Sequence, residues 1–167
     1  EFVNKVKTLD LPREMALAVE QGIKESLQSG ALAGFPVINT RVTLKKAKFD
    51  PQKSDENAFK IAATFAIREA LQKAKPILLE PVMRLEVLVP EDYLSNVISD
   101  VNSRKAKIQR ISVKGNLQMV EATAPLSVMF GYSTDLRSST QGRGTYTMQF
   151  SRYEQVPDEV LKRIRGL

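Results

Sequence analysis

The chain has 167 residues, of which 43% are hydrophobic and 26% are charged, a balance typical of one or two folded domains. It contains no cysteine and no histidine, which excludes disulfides, thiolate metal sites and histidine-based hydrolytic triads. The net charge of +6 indicates an anionic partner, nucleic acid before an acidic membrane. Because no apolar run approaches the ~20 residues that span a bilayer and no signal peptide opens the sequence, we expect a cytoplasmic protein without a membrane partner.

The first 74 residues contain two strand patterns and two helix patterns. Residues 1–7 alternate as an edge strand, and residues 37–44 alternate as a second strand with Ile38, Val42 and Leu44 on one face. A first helix is predicted from Pro12 to Gly30, and a second helix begins at residues 54–57. The side chains expected to face the core are Met15, Val19, Ile23 and Leu27 in the first helix and Phe59, Ala62, Ala63, Ala66 and Ala70 in the second.

A lysine-rich loop, the tip loop (residues 45–53), separates the second strand from the second helix. Its four lysines, Lys45, Lys46, Lys48 and Lys53, form the densest cationic run in the chain. A solvated charge run is the ordinary interpretation. A cationic loop between a strand and a helix can also protrude and reach an RNA groove, so these lysines are candidates for RNA contact.

The second half shows the order strand, helix, strand, strand, helix, strand. Strands are predicted at 83–89, 108–113, 117–124 and 145–150, with helices beginning near residues 90 and 129. This order predicts a ferredoxin-like split-βαβ domain. Lys75 precedes Pro76 and ends the preceding helix, so we place the domains at 1–74 and 75–167. Residues 153–166 are predicted to form a short terminal helix, with Val160, Leu161 and Ile164 at helical spacing.

The segment 129–150 is predicted to be a helix, a turn and a strand. Arg137 and Ser138 fall near the end of that helix, and Gly142, Arg143 and Gly144 form the turn. Guanidinium forks and unshielded glycine amides match phosphate oxygens, so these residues are a second candidate for contact with an RNA backbone. Earlier in the same segment Phe130 is expected in the core, whereas Tyr132 could be in the core or could stack on a base.

Catalytic signatures are missing from the sequence. The acidic pairs Asp55-Glu56 and Glu91-Asp92 lie at predicted helix starts, where capping and the helix dipole explain them. There is no nucleophile elbow, no metal cluster and no Gly-x-x-x-x-Gly-Lys-Ser/Thr phosphate loop. We therefore predict a nonenzymatic chain with no catalytic, cofactor-binding or metal-ligating residue.

The order of short motifs resembles translation elongation factor G. The motifs similar to its last domain are Met129-Phe130-Gly131-Tyr132, Leu136-Arg137-Ser138, Gly142-Arg143-Gly144 and Tyr146-Thr147-Met148. Those similar to its fourth domain and the following junction are Phe35-Pro36-Val37, residues 58–63 and residues 74–82. The resemblance implies an α+β chain of two small domains. The first is like ribosomal protein S5 and incomplete at its N-terminus, and the second is ferredoxin-like with a C-terminal helix.

The resemblance also implies partners and a task. In the family, an upstream G domain binds and hydrolyses GTP with Mg²⁺, the fourth domain keeps tRNA and mRNA in register in the decoding site, and the last domain contacts ribosomal RNA and proteins. We expect a monomeric arm of a ribosome-binding factor that promotes translocation. Its candidate contacts are Lys45, Lys46, Lys48, Phe49, Asp50, Gln52, Lys53, Arg137, Ser138, Gly142, Arg143 and Gly144.

One position departs from the family pattern. By spacing from Pro36 and from Ala58-Phe59, Asp50 stands where many members carry a histidine at the tip. A carboxylate there would be repelled by an RNA backbone. The departure leaves open a divergent paralogue that recycles or protects ribosomes, in bacteria or in an organelle. A free-standing α+β binding domain is a third interpretation.

Overall fold

The computed structural model describes residues 1–30, 32 and 34–165, and its contacts divide the chain into two units. The first unit contains Glu1–Ile77 and the described residues that follow Asp158, and the second unit contains Leu78–Asp158. The sequence boundary was placed at residue 74, within a few residues of this division. By its contacts, the final helix groups with the first unit from Glu159 onward.

The first unit contains a short parallel sheet. Strand β1 (Phe2–Asn4) pairs with β2 (Val42–Leu44), with Phe2 opposite Val42 and Asn4 opposite Leu44. The second predicted strand, 37–44, is therefore too long, and Ile38 is 43% exposed rather than facing the core. The reason is Asn39, whose φ of 55° lies in the left-handed region and interrupts the extended backbone.

Two helices cover this sheet. Helix α1 (Arg13–Ser29) buries Val19 and Ile23, as its apolar stripe predicted. Helix α2 (Glu56–Lys73) buries Ala63, Ile67 and Leu71. The stripe predicted for α2 was partly wrong, because three of its alanines are exposed: Ala62, Ala66 and Ala70.

The two helices approach each other most closely at one glycine of α1. A Cβ built on Gly22 would lie 2.5 Å from the carbonyl oxygen of Lys60 in α2, so only glycine allows this helix spacing. The ammonium of Lys60 also forms an ion pair with Glu25 at 2.8 Å, and this contact lowers the pKa of the Glu25 carboxyl. The close packing of α2 that the sequence indicated is therefore provided by Gly22 of the neighbouring helix.

The second unit is a four-stranded antiparallel sheet with helices on one face, in the order β4-β5-β3-β6. Its strands are β3 (Leu79–Val89), β4 (Lys107–Lys114), β5 (Leu117–Pro125) and β6 (Thr145–Gln155). Its helices are α3 (Leu94–Ser103) and α4 (Tyr132–Ser139). This is the predicted ferredoxin-like order. Each fully buried valine or leucine contributes about 1.5–3 kcal/mol of burial free energy, and the cluster around Leu85, Val87 and Val120 forms the core.

At the start of α4, the structure contradicts the core position predicted for Phe130. Phe130 is 79% exposed, while Met129 and Tyr132 are 6% and 1% exposed and fill the core instead. Gly131, with a φ of 78°, turns the chain between them, so that Met129 and Tyr132 point inward and Phe130 points outward. The prediction of a core role for Phe130 was therefore wrong.

The terminal helix is shorter than predicted. Residues 153–155 belong to β6, and α5 spans Asp158–Arg165. Gly166, at the end of the predicted helix, lies outside the described residues.

Candidate nucleic-acid interface

The tip loop is shaped by Asp50. Its carboxylate oxygen Oδ1 accepts a hydrogen bond from the amide of Gln52 at 3.0 Å, and its carbonyl accepts from the amides of Lys53 and Ser54 at 3.1 and 2.9 Å. In return the Ser54 hydroxyl accepts from the Asp50 amide at 3.1 Å. The side chain of Asp50 therefore closes this turn, and its carboxylate already accepts a hydrogen bond from a backbone amide.

Phe49 fixes the same loop to the helix layer. Its ring lies 6.4 Å from the ring of Phe59 on α2, and Phe49 is half-buried. Immediately before α2, the Asp55 carboxylate accepts from the Ala58 amide at 2.6 Å and caps the helix. Both ends of the tip loop are thus held in place, which presents its lysines in a defined position.

The tip loop forms one side of an open groove with a volume of about 620 Å³, which we call the lysine groove. Its other side is the segment between β1 and α1. Five lysines line it, namely Lys5, Lys7, Lys45, Lys46 and Lys48, and Asp10 is the acidic residue among the lining side chains. Gln52 and Lys53, which the sequence grouped with these lysines, do not line the groove. A strong excess of positive charge in a concave surface attracts polyanions.

Lys5 and Lys7 were not recognised from the sequence. Their position follows from the parallel pairing of β1 with β2, because the chain leaves both strands at the same end of the sheet. The amide of Lys5 donates to the carbonyl of Leu44 at 2.9 Å and continues this pairing up to the edge of the groove. The one available sequence signal was the pair of alternating lysines, Lys5 and Lys7, at the end of the strand predicted at residues 1–7.

A second cationic site, the arginine turn (residues 137–144), follows α4. The amide of Gly142 donates to the carbonyl of Arg137 at 2.8 Å. This hydrogen bond brings the backbone of Arg137 close to the turn predicted at residues 142–144. Arg137, Ser138, Gly142 and Arg143 are all exposed. Within the described part of the chain, neither arginine forms an ion pair, so both guanidinium groups are available to an anion.

Gly144 has a packing role. A Cβ at this position would lie 2.9 Å from Thr140 Oγ1 and 3.0 Å from a methyl group of Val89. The Gly144 amide is already used, because it donates to the buried hydroxyl of Thr140 at 2.9 Å. That hydroxyl in turn donates to the Leu136 carbonyl at 2.6 Å. Of the two glycines in this turn, therefore, only Gly142 is exposed to a ligand.

Two residues that sequence reasoning missed hold the arginine turn against α3: Tyr93, which directly precedes this helix, and Asn96 in its first turn. The Tyr93 hydroxyl donates to Gln141 Oε1 at 3.1 Å, and its ring lies 6.0 Å from the guanidinium carbon of Arg143. The side-chain amide of Asn96 donates to the Ser139 carbonyl at 3.2 Å. Tyr93 therefore positions Arg143 through both the turn and the face of its ring.

Arg104 anchors the opposite end of α4. Its side chain is 13% exposed and donates to the carbonyls of Val128 and Phe130 at 2.8 and 3.3 Å. It also pairs with Asp100 at 3.0 Å and with Asp135. Burial lowers the pKa of the guanidinium, but the two carboxylates outweigh burial and raise it overall.

Among the residues that the structure describes, no group of three or more acidic, histidine or cysteine side chains could hold a metal ion. No described helix has the length and apolar character needed to cross a membrane.

Comparison with known protein families covers nearly the whole chain. Residues 1–75 match the family described as elongation factor G, domain IV, and residues 77–164 match the family described as elongation factor G C-terminus. The chain belongs to the elongation factor G family. Its two matched regions are domain IV and the C-terminal domain of such a factor, and neither is a G domain.

Individual relatives agree with this assignment. The chain is 48% identical to elongation factor G of Thermotoga petrophila over 164 residues and 46% identical to that of Thermotoga neapolitana. Each alignment covers 98% of this chain and 24% of the relative, so the chain spans about a quarter of the length of these factors. A crystal structure of a protein from Thermus thermophilus matches with a TM-score of 0.87 and 36% identity, over 98% of this chain and 25% of that one.

Proposed function

We propose that this chain is the ribosome-contacting part of an elongation factor G that promotes GTP-dependent translocation of tRNA and mRNA. The observation that carries the proposal is the match of both halves, in order, to two domains of this family. The chain contributes binding and positioning, and its sequence has no phosphate loop. GTP and Mg²⁺ belong to a G domain outside this chain. The factor acts as a monomer in the cytoplasm.

The lysine groove supports an RNA contact in domain IV. Five lysines line one concave surface, and each ammonium group that reaches a phosphate can neutralise it and release a counterion. Lysine side chains provide point charges without base preference, which suits a surface that must accept different tRNA sequences. We assign tRNA and mRNA to this groove, with Lys5 and Lys7 added to the lysines of the tip loop.

The arginine turn supports a separate contact in the C-terminal domain. Arg137, Arg143 and the exposed Gly142 offer planar donors and an open backbone, and Tyr93 restricts the Arg143 guanidinium before binding. A restrained arginine loses less side-chain entropy when it binds. Ribosomal RNA and ribosomal proteins are the partners that we assign to this turn.

The test is ribosome binding and translocation by the full-length factor carrying Lys5→Ala/Lys7→Ala or Lys45→Ala/Lys46→Ala. Each lost phosphate contact should reduce the slope of log affinity against log salt by about 0.7–0.9, so each pair should reduce it by about 1.5. The control is Lys24→Ala/Lys73→Ala, which removes the same charge from lysines paired within their own helices. Equal slopes for the groove and control variants would refute the groove assignment.

The arginine turn has its own test. Arg137→Ala/Arg143→Ala should weaken ribosome binding of the full-length factor and lower its salt slope. An unchanged affinity and slope would remove these residues from the contact surface. Arg152→Ala serves as the control, because that exposed arginine is paired with Glu154.

A specialised ribosome-recycling or ribosome-protection paralogue is the second candidate, and Asp50 favours it. The family position that commonly carries a histidine holds here a carboxylate that closes the tip turn. The discriminating experiment compares the full-length factor with its Asp50→His variant in translocation and in subunit-splitting assays. Normal translocation by the unmodified factor would reject the second candidate.

A further inference from the structure

The segment between β1 and α1 presents one leucine completely to solvent. The amides of Asp10 and Leu11 both donate to the carbonyl of Lys7, at 2.9 and 3.2 Å, and close a tight turn. Leu11 is 2% exposed and anchors this turn in the unit. Leu9, at the outer corner of the turn, is 98% exposed. A leucine held outward by a hydrogen-bonded and anchored turn is in a position to contact a partner.

Leu9 lies on the wall of the lysine groove. The lining around it includes the five lysines and the apolar side chains of Val6, Ala47, Phe49 and Pro51. Among the exposed leucines, Leu17 is 55% exposed on α1 and does not line the groove. Leu9 is thus the most exposed of the large apolar side chains that line a cationic groove. Such a surface suits a ligand that carries negative charge on its outside and apolar groups on its inside.

RNA has this combination, because its phosphates surround stacked bases. Proteins that hold the phosphates with basic side chains also insert single apolar side chains between base steps and unstack them. Unpaired loop bases are the easiest to separate. An anionic membrane fits less well, since membrane insertion uses the broad apolar face of a helix, whereas Leu9 lies at the corner of a tight turn beside five lysines.

We propose that Leu9 is an apolar wedge that enters between two neighbouring bases of the RNA held by the lysine groove. The wedge rests on the RNA contact proposed above and adds a residue that acts on base stacking rather than on phosphate. The lysines determine how strongly binding depends on salt, and Leu9 determines the conformation of the bound bases.

The experiment uses the full-length factor and an RNA hairpin with 2-aminopurine in its loop, because the fluorescence of this base rises when it is unstacked. The unmodified factor should bind with a rise in fluorescence. Leu9→Ala should lose most of the rise and bind about three- to tenfold more weakly, with an unchanged salt slope. Leu9→Phe should keep the rise. Leu9→Lys should lose it while its salt slope increases by about 0.7.

Leu17→Ala is the matched control and should behave as the unmodified factor. A full fluorescence rise with Leu9→Ala, or an equal loss with Leu17→Ala, overturns the wedge. Binding by the unmodified factor without any rise overturns the wedge and leaves the RNA groove standing. Failure of the unmodified factor to bind the hairpin overturns both, as does Leu9-dependent binding to phosphatidylserine vesicles in place of RNA. Because Leu9 makes no buried contact, its variants are expected to fold normally.

Discussion

Replacement of Arg104 by alanine is expected to destabilise the second unit. Arg104 directly follows α3 and connects it to α4 and to the segment before α4. Its four acceptors are the Asp100 carboxylate on α3, the Asp135 carboxylate on α4 and the carbonyls of Val128 and Phe130. Its guanidinium carbon also lies 5.2 Å from the centre of the Tyr132 ring. No other described side chain donates to these two carbonyls, so alanine leaves them without a protein partner.

The magnitude follows from the burial of each contact. Loss of a charged donor to the half-buried Val128 carbonyl costs about 1.5–3 kcal/mol. The ion pair with Asp135 contributes at most about 1 kcal/mol, because that carboxylate is 56% exposed. The stacking on Tyr132 contributes about 0.5–1 kcal/mol. We expect a loss of about 3 kcal/mol in the unfolding free energy, which lowers the melting temperature of a domain of this size by more than about 10 °C.

The assay is native-state hydrogen exchange of the amides of Val87 and Val120, which lie in the central strands. Arg104→Lys should recover about half of the loss, since an ammonium can pair with a carboxylate but cannot span all four acceptors. Asp135→Ala is the control and should cost less than about 1 kcal/mol. An Arg104→Ala variant within about 0.5 kcal/mol of the unmodified protein would refute the reasoning.

Three further predictions concern single residues. Burial raises the pKa of the Tyr132 phenol above its usual 10.0. The contribution of this neutral phenol to the unfolding free energy is therefore fully present below about pH 10 and falls as the pH rises further. Tyr132→Phe should leave the unfolding free energy nearly unchanged at pH 7, because no described atom forms a hydrogen bond with the buried hydroxyl. The same substitution should flatten the alkaline part of a plot of melting temperature against pH. A loss of unfolding free energy above about 2 kcal/mol at pH 7 would contradict this expectation. Gly144→Ala should cost about 1–3 kcal/mol in urea unfolding, since three neighbouring side chains lie 2.9 to 3.1 Å from the new Cβ, whereas Gly142→Asn should be tolerated in open space. Asp50→Ala should increase amide exchange at Gln52 without changing the melting temperature, and equal protection in both proteins would exclude its role in the turn.

The sequence determined the architecture of the second unit and the position of both cationic sites along the chain. Strand alternation in β3 put Leu85, Val87 and Val89 on one face, and all three are fully buried. Such patterns are readable because the side-chain period of a strand or helix is local. Ordered motifs also indicated the family, which the family comparisons confirmed.

The tertiary structure decided which distant residues meet. Lys5 joins Lys45 in one groove because β1 pairs in parallel with β2, and no local pattern encodes the partner of a strand. Phe130 and Tyr132 have similar apolar character, and the left-handed Gly131 between them determines which ring is buried. The positive charge of each site comes from lysines and arginines that can be recognised in the sequence itself. Their arrangement into a surface depends on strand pairing, close helix contacts and side chains such as Arg104 and Tyr93 that connect elements far apart in the chain.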